Sequence, residues 1–184
     1  MRRELQDVLT TFGGDYRFRR IGWTDEIVFS LYGDPATLES KEVVALADTV
    51  MENEFRLAVT VSATAAFGLR MTARAEQHKT LWSWDRRQKI RCEFGDPRLD
   101  AGYRCRTTDV QLAGRVLADP LLRQWMAFIC AKDVNVEYHA AAPGPDGVIA
   151  LVIEPMRRSS PAPVHLCQAV GSVIRALRTT GLVR

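Results

Sequence analysis

Apolar and polar residues alternate in some stretches of this chain and recur every three to four positions in others. That switch of period marks the elements. Leu5, Val8, Leu9 and Phe12 fall at helical spacing, which predicts a helix over 2–12 stopped by Gly13-Gly14. Residues 16–21 and 25–32 read as strands joined by a short connection, with Gly33-Asp34-Pro35 as a turn. Over 40–51, Val43, Leu46, Ala47 and Val50 line one helical face behind Ser40 as a cap. The same letters fit a strand; helix is the reading taken. Phe55, Leu57, Val59 and Val61 alternate, as do Phe67, Leu69 and Met71, which predicts a half-buried antiparallel hairpin turning at 62–66. Residues 80–91 alternate too, placing Trp82 and Trp84 on one side of a strand.

In the second half, Phe94-Gly95-Asp96-Pro97 reads as a turn and 103–107 as a strand. Asp109 opens a helix displaying Val110, Ala113, Val116 and Leu117. Asp119-Pro120 starts another, because aspartate caps and proline suits the first helical position. Val134, Val136 and Tyr138 alternate, Pro143–Gly147 is a turn, and the apolar run Val148–Ile153 reads as a strand covered on both faces. A last helix aligns Val164, Cys167, Val170, Val173, Ile174 and Leu177 and ends near Gly181. The expected fold class is α+β: a mainly antiparallel sheet with helices packed on one face and a C-terminal helix–hairpin–helix over 109–180. No Pro/Gly/Ser-rich linker appears, so one domain over 1–184 is preferred to halves at about 1–78 and 79–184. Tyr32–Pro35 and Phe94–Pro97 are both aromatic-Gly-Asp-Pro, a repeat that common turn chemistry accounts for.

Composition narrows the class. At 184 residues, 47% hydrophobic and 26% charged, the chain sustains a core and is not of disordered type. No apolar run approaches the roughly 20 residues of a membrane-spanning helix. Glu4 and Asp7 interrupt the N-terminus, which reads as a mature start without a signal peptide. A net charge of +3 neither requires nor forbids an anionic partner. Cys92, Cys105, Cys130 and Cys167 show neither C-x-x-C nor zinc spacing. Cys92 and Cys105 face each other if their segments pair; reduced thiols and a cytoplasmic setting are expected.

Catalytic signatures are missing. There is no glycine-rich phosphate loop, no G-x-S-x-G elbow, and His78, His139 and His165 are scattered. Asp15, Asp25, Glu26, Asp34 and Glu39 read as water-facing acids at turns and strand ends. No catalytic residue, metal site or cofactor is therefore expected; an enzyme would need a site assembled from distant residues. The richest stretch joins Arg74, Lys79, Arg86, Arg87, Lys89 and Arg91 to Trp82 and Trp84. Its alternation also fits both rings facing inward with the charges on a solvated face. As a contact surface it suits a protein partner or a second copy, because Trp and Arg are enriched at binding hot spots. It equally offers rings for single-stranded bases and arginines for phosphates. The expected function is a non-enzymatic interaction, assembly or adaptor domain binding a protein partner or itself. The alternative is a nucleic-acid-binding domain using 74–91, helped by Arg17, Arg19 and Arg20.

Residues 92–131 contain Gly95-Asp96-Pro97-Arg98-Leu99-Asp100-Ala101-Gly102-Tyr103, then Thr107-Thr108-Asp109, then Leu121-Leu122-Arg123. This resembles an uncharacterised bacterial domain family with a Gly-Asp-Pro-x-Phe/Leu-Asp-x-x-Phe/Tyr segment between a strand and a helix. The resemblance implies an α+β domain, sometimes tethered near membranes, with no assigned activity and no catalytic residue to carry over. Within the motif, Asp96 and Asp100 are expected to cap local amides and Tyr103 to fill the core.

Overall fold

The computed structural model describes residues 3–19, 24–44, 51–73, 90–129, 134–156 and 161–184. In chain order these form α1 (Arg3–Phe12), β1 (Asp15–Arg19), β2 (Thr24–Leu31), β3 (Asp34–Val44), β4 (Met51–Ala63), β5 (Phe67–Ala73), β6 (Ile90–Cys92), α2 (Pro97–Gly102), β7 (Tyr103–Thr107), α3 (Val110–Leu117), α4 (Pro120–Phe128), β8 (Val134–Ala140), β9 (Gly144–Met156) and α5 (Pro163–Thr179). The strands make one antiparallel sheet in the order β1-β2-β3-β4-β9-β8-β5-β7-β6. Strands from both sides of residue 78 thus share the sheet.

Because side chains alternate along a strand, the register decides what each face holds. One unbroken row of opposed residues crosses the whole sheet: Tyr16, Ile27, Leu38, Leu57, Leu151, Val136, Met71, Cys105 and Cys92. From Ile27 to Cys92 this row is buried, and the helices lie over it. The next row along points the other way: Arg17, Glu26, Glu39, Arg56, Val152, Asn135, Thr72 and Arg104. The sheet is therefore apolar where helices cover it; its other face is largely polar, open at Arg17 and Arg104 but buried at Glu26 and Asn135, 2% and 9% exposed.

Helix α5 buries Leu166, Cys167, Val170, Val173, Ile174 and Leu177 against the sheet and the other helices. Its end at Gly181, with φ of 75°, follows the expected glycine stop. Asp109 accepts from the Gln111 and Leu112 amides, and Asp119 from the Leu122 amide, so both expected aspartate caps form.

Asp25, Glu26 and Asp34, expected to face water, are buried at 7%, 2% and 8% exposed. Three further expectations are corrected. Residues 40–44 continue β3, and residue 51 opens β4; 45–50 lie outside the described residues. The β3–β4 pairing runs from Ala36↔Val59 to Val44↔Met51, and this ladder overrides the local helical spacing. Strands β4 and β5 do not form a hairpin, because β9 and β8 lie between them. Alternation reports which side of a strand is buried but not which strand lies beside it. Third, Val148, Ala150 and Val152 are half-exposed, so β9 is covered on one face. Its apolar run reflects a position inside the sheet, with β4 and β8 on its two edges.

The two aromatic-Gly-Asp-Pro tetrapeptides adopt different structures. Tyr32 and Gly33 form a two-residue hairpin loop closed by Leu31↔Asp34, with φ of 54° and 93°. Positive φ at both central positions is the type I′ turn, which matches strand twist. In the second copy, Asp96 caps α2, accepting from the Arg98 amide at 2.9 Å, while Pro97 takes the first helical position. Asp100 accepts from the Phe94 amide at 2.7 Å, and the buried Tyr103 donates to the Met126 carbonyl at 3.0 Å.

Candidate functional site

Of the eight residues singled out in the Arg/Trp segment, Arg74, Lys79, Trp82, Trp84, Arg86, Arg87 and Lys89 lie outside the described residues. Arg91 is described. It sits in the middle of the edge strand β6 on the open face, with its side chain 73% exposed and 3.6 Å from Glu93.

The register places Arg91 directly opposite Arg106 on β7, and Arg106 directly opposite Arg70 on β5. Arg104, two residues from Arg106, shares the same face. Arg104 and Arg106 are exposed, and Arg70 is half-buried with Glu137 at 3.7 Å. Three adjacent strands therefore align three guanidinium groups in one row. Like charges directly opposite each other destabilise a strand pair. Glu137, directly opposite Arg70, and Glu93, beside Arg91, offset part of that repulsion.

These companions of Arg91 were not singled out from the sequence. Arg104 and Arg106 alternate with the inward Tyr103, Cys105 and Thr107, a pattern visible in the letters. Arg70 joins them only through sheet order.

The helix side carries a second feature. A cleft of about 370 Å³ lies between the β2–β3 turn, α4 and α5, lined among others by Tyr32, Leu121, Trp125, Gln168, Arg175 and Arg178. Tyr32 holds positive φ although it has a side chain, a conformation that costs about 1–2 kcal/mol. Two contacts hold it there: its ring lies on Gly171, and Arg178 donates to its carbonyl at 3.1 Å while also pairing with Asp34 at 2.9 Å. Burial pushes the Asp34 carboxyl up, and the Arg178 guanidinium opposes that shift. Beside the cleft, Trp125, Phe128 and His165 form a ring cluster, with Phe128–His165 centroids 5.1 Å apart.

Tyr138 is buried without a hydrogen-bond partner for its hydroxyl, which burial pushes up to about 12. Tyr16 is raised first by its hydrogen bond to Asp25 and then by burial. Among the described residues, no group of three or more His, Cys, Asp and Glu side chains is placed to hold a metal ion.

Neither a family model nor a curated protein matches the chain. Among solved structures it is similar to the crystal structure of the mycobacterial trehalose monomycolate transport factor A, TtfA. The TM-score is 0.53 at 11% identity, over 97% of this chain and 95% of that one. At that identity the likeness is one of fold alone. Among the described residues, no helix is long and apolar enough to cross a membrane.

Proposed function

We propose that this chain is a non-enzymatic interaction domain, an adaptor or assembly component, whose open sheet face binds an acidic protein surface. The observation that carries this reading is the Arg70–Arg106–Arg91 row, with Arg104 beside it. Arginine forks bind carboxylates bidentately, so a row of them suits a partner with several Asp or Glu side chains. A second copy of the chain and an unlike acidic protein both fit; light scattering of the pure protein separates them. A cytoplasmic setting and a helix–hairpin–helix support over 109–180 belong to the same reading.

One observation favours protein over nucleic acid. Among the described residues, the arginine-bearing face presents no Phe, Tyr or Trp ring for base stacking, only the half-buried His139 imidazole.

The test is a titration with a fluorescent glutamate-rich peptide and, separately, with fluorescent single-stranded DNA, each at low and high salt. The peptide is expected to bind and to weaken with salt. DNA binding with a steep salt dependence and no peptide binding would establish the nucleic-acid alternative. Binding of neither probe would remove the arginine face as a docking surface.

A further inference from the structure

Among the described residues, strand β6 spans Ile90–Cys92 and comes last in the sheet order; Cys92 lies directly opposite Cys105 on β7. Opposed residues of antiparallel strands have Cα atoms about 4.5–5.5 Å apart. That spacing falls inside the roughly 4.4–6.8 Å that disulfides span. Both side chains point to the helix side, 7% and 3% exposed, and α3 packs against β6. The two thiols are hydrogen-bonded to each other.

We propose that Cys92 and Cys105 are a modification site, closing an intrachain disulfide by exchange with a low-molecular-weight disulfide of the glutathione type. This inference goes beyond the partner-binding reading and does not depend on it.

The chemistry takes two displacements. The Cys92 thiolate attacks one sulfur of the small disulfide, whose S–S bond breaks; a mixed disulfide forms on Cys92 and one small thiolate leaves. Cys105 then gives up its proton and attacks the Cys92 sulfur, expelling the second small thiolate and forming the Cys92–Cys105 bond. The two cysteine protons finish on the two released thiols. The protein loses two electrons and the reagent gains them.

The environment sets the order of attack. The hydrogen bond from Cys105 lowers the Cys92 thiol, while the same contact and then burial raise Cys105. Among the described residues, β6 pairs with β7 at three positions, and Cys92↔Cys105 is the last of them. Cys167 differs: it is buried in α5, and burial pushes its thiol up to about 12. Arg91↔Arg106 is the neighbouring pair in register, so the bond would clamp the edge strand that aligns those two arginines.

The test incubates the folded full chain with oxidised glutathione, quenches with an alkylating agent and maps unreduced peptides by mass, with circular dichroism to show that the fold persists. The expected product is one Cys92–Cys105 crosslinked peptide lighter by two hydrogens, with Cys167 alkylated. Cys105→Ser should stop at a glutathione adduct on Cys92. Cys92→Ser should leave Cys105 reacting about tenfold more slowly. A crosslink that appears only after denaturation, or that joins either residue to Cys130 or Cys167, would overturn the proposal. So would full alkylation of Cys92 and Cys105 in the folded wild type.

Discussion

The two faces of the sheet share the same strands yet answer to different physics. On the covered face, Ile27, Leu38, Leu57, Leu151, Val136 and Met71 stand opposed in one row, none more than 1% exposed. Removing such a side chain from water contributes about 1.5–3 kcal/mol, so folding itself specifies the residue type. On the other face, one position along each strand, folding specifies little at the exposed positions, though Glu26 and Asn135 are buried there too. There the sheet aligns Arg70, Arg106 and Arg91, with Glu137 and Glu93 beside the first and last of them. The lesson is that residues on the covered side report how the chain folds, while the arginine row on the other side is where the proposed partner is to be tested.

The largest break in this comparison should come from Leu57→Ala, which opens a cavity in the covered row and should cost about 2–5 kcal/mol in denaturant unfolding. Val152→Ala, at a half-exposed position on the open face of β9, should cost less than about 1 kcal/mol in the same assay. Equal losses would refute the two-face account.

Next in size is an alkaline effect from the covered face. The unfolded Tyr138 hydroxyl ionises near 10 and the native one near 12. Between those values the unfolded chain sheds a proton that the native chain keeps, so stability is intact below pH 10 and falls as pH rises through 12. Tyr138→Phe should leave stability unchanged at neutral pH. Above pH 10 it should recover up to roughly 2–3 kcal/mol. A thermal-melting series against pH reads both, and an equally steep alkaline loss in the variant would count against it.

Asp109→Ala should cost about 1 kcal/mol through lost capping of α3, one of the helices over the covered face. The smallest effect belongs to the open face: Arg106→Gln should leave stability unchanged or raise it by about 0.2–1 kcal/mol, because it relieves like-charge opposition. Substantial destabilisation would mean that the row serves the fold.

Local chemistry was legible in the sequence and long-range pairing was not. Asp109, Asp119-Pro120 and Gly181 act through their immediate neighbours, and their helix boundaries follow from the letters. Alternation in Phe55–Val61 and Phe67–Met71 disclosed buried faces, but no local signal announced that β9 and β8 would separate the two strands. Residues 40–44 have letters that suit either element, and the long β3–β4 ladder decided between them. The candidate site divides in the same way. Arg91 stood out through its basic neighbours in the chain, whereas Arg70, Arg104 and Arg106 became its companions through sheet order. Cys92 and Cys105 were readable as a conditional pair, the condition being the β6–β7 ladder that the structure supplies.

The most direct measurement compares affinity for the fluorescent glutamate-rich peptide between two charge-reversed proteins. One carries Arg91→Glu and Arg106→Glu on the open face, and the other carries Arg175→Glu at an exposed position on α5. The account predicts at least about a tenfold loss for the first and no change for the second, both remaining folded. Equal losses in the two proteins, or a loss confined to the α5 variant, would contradict it.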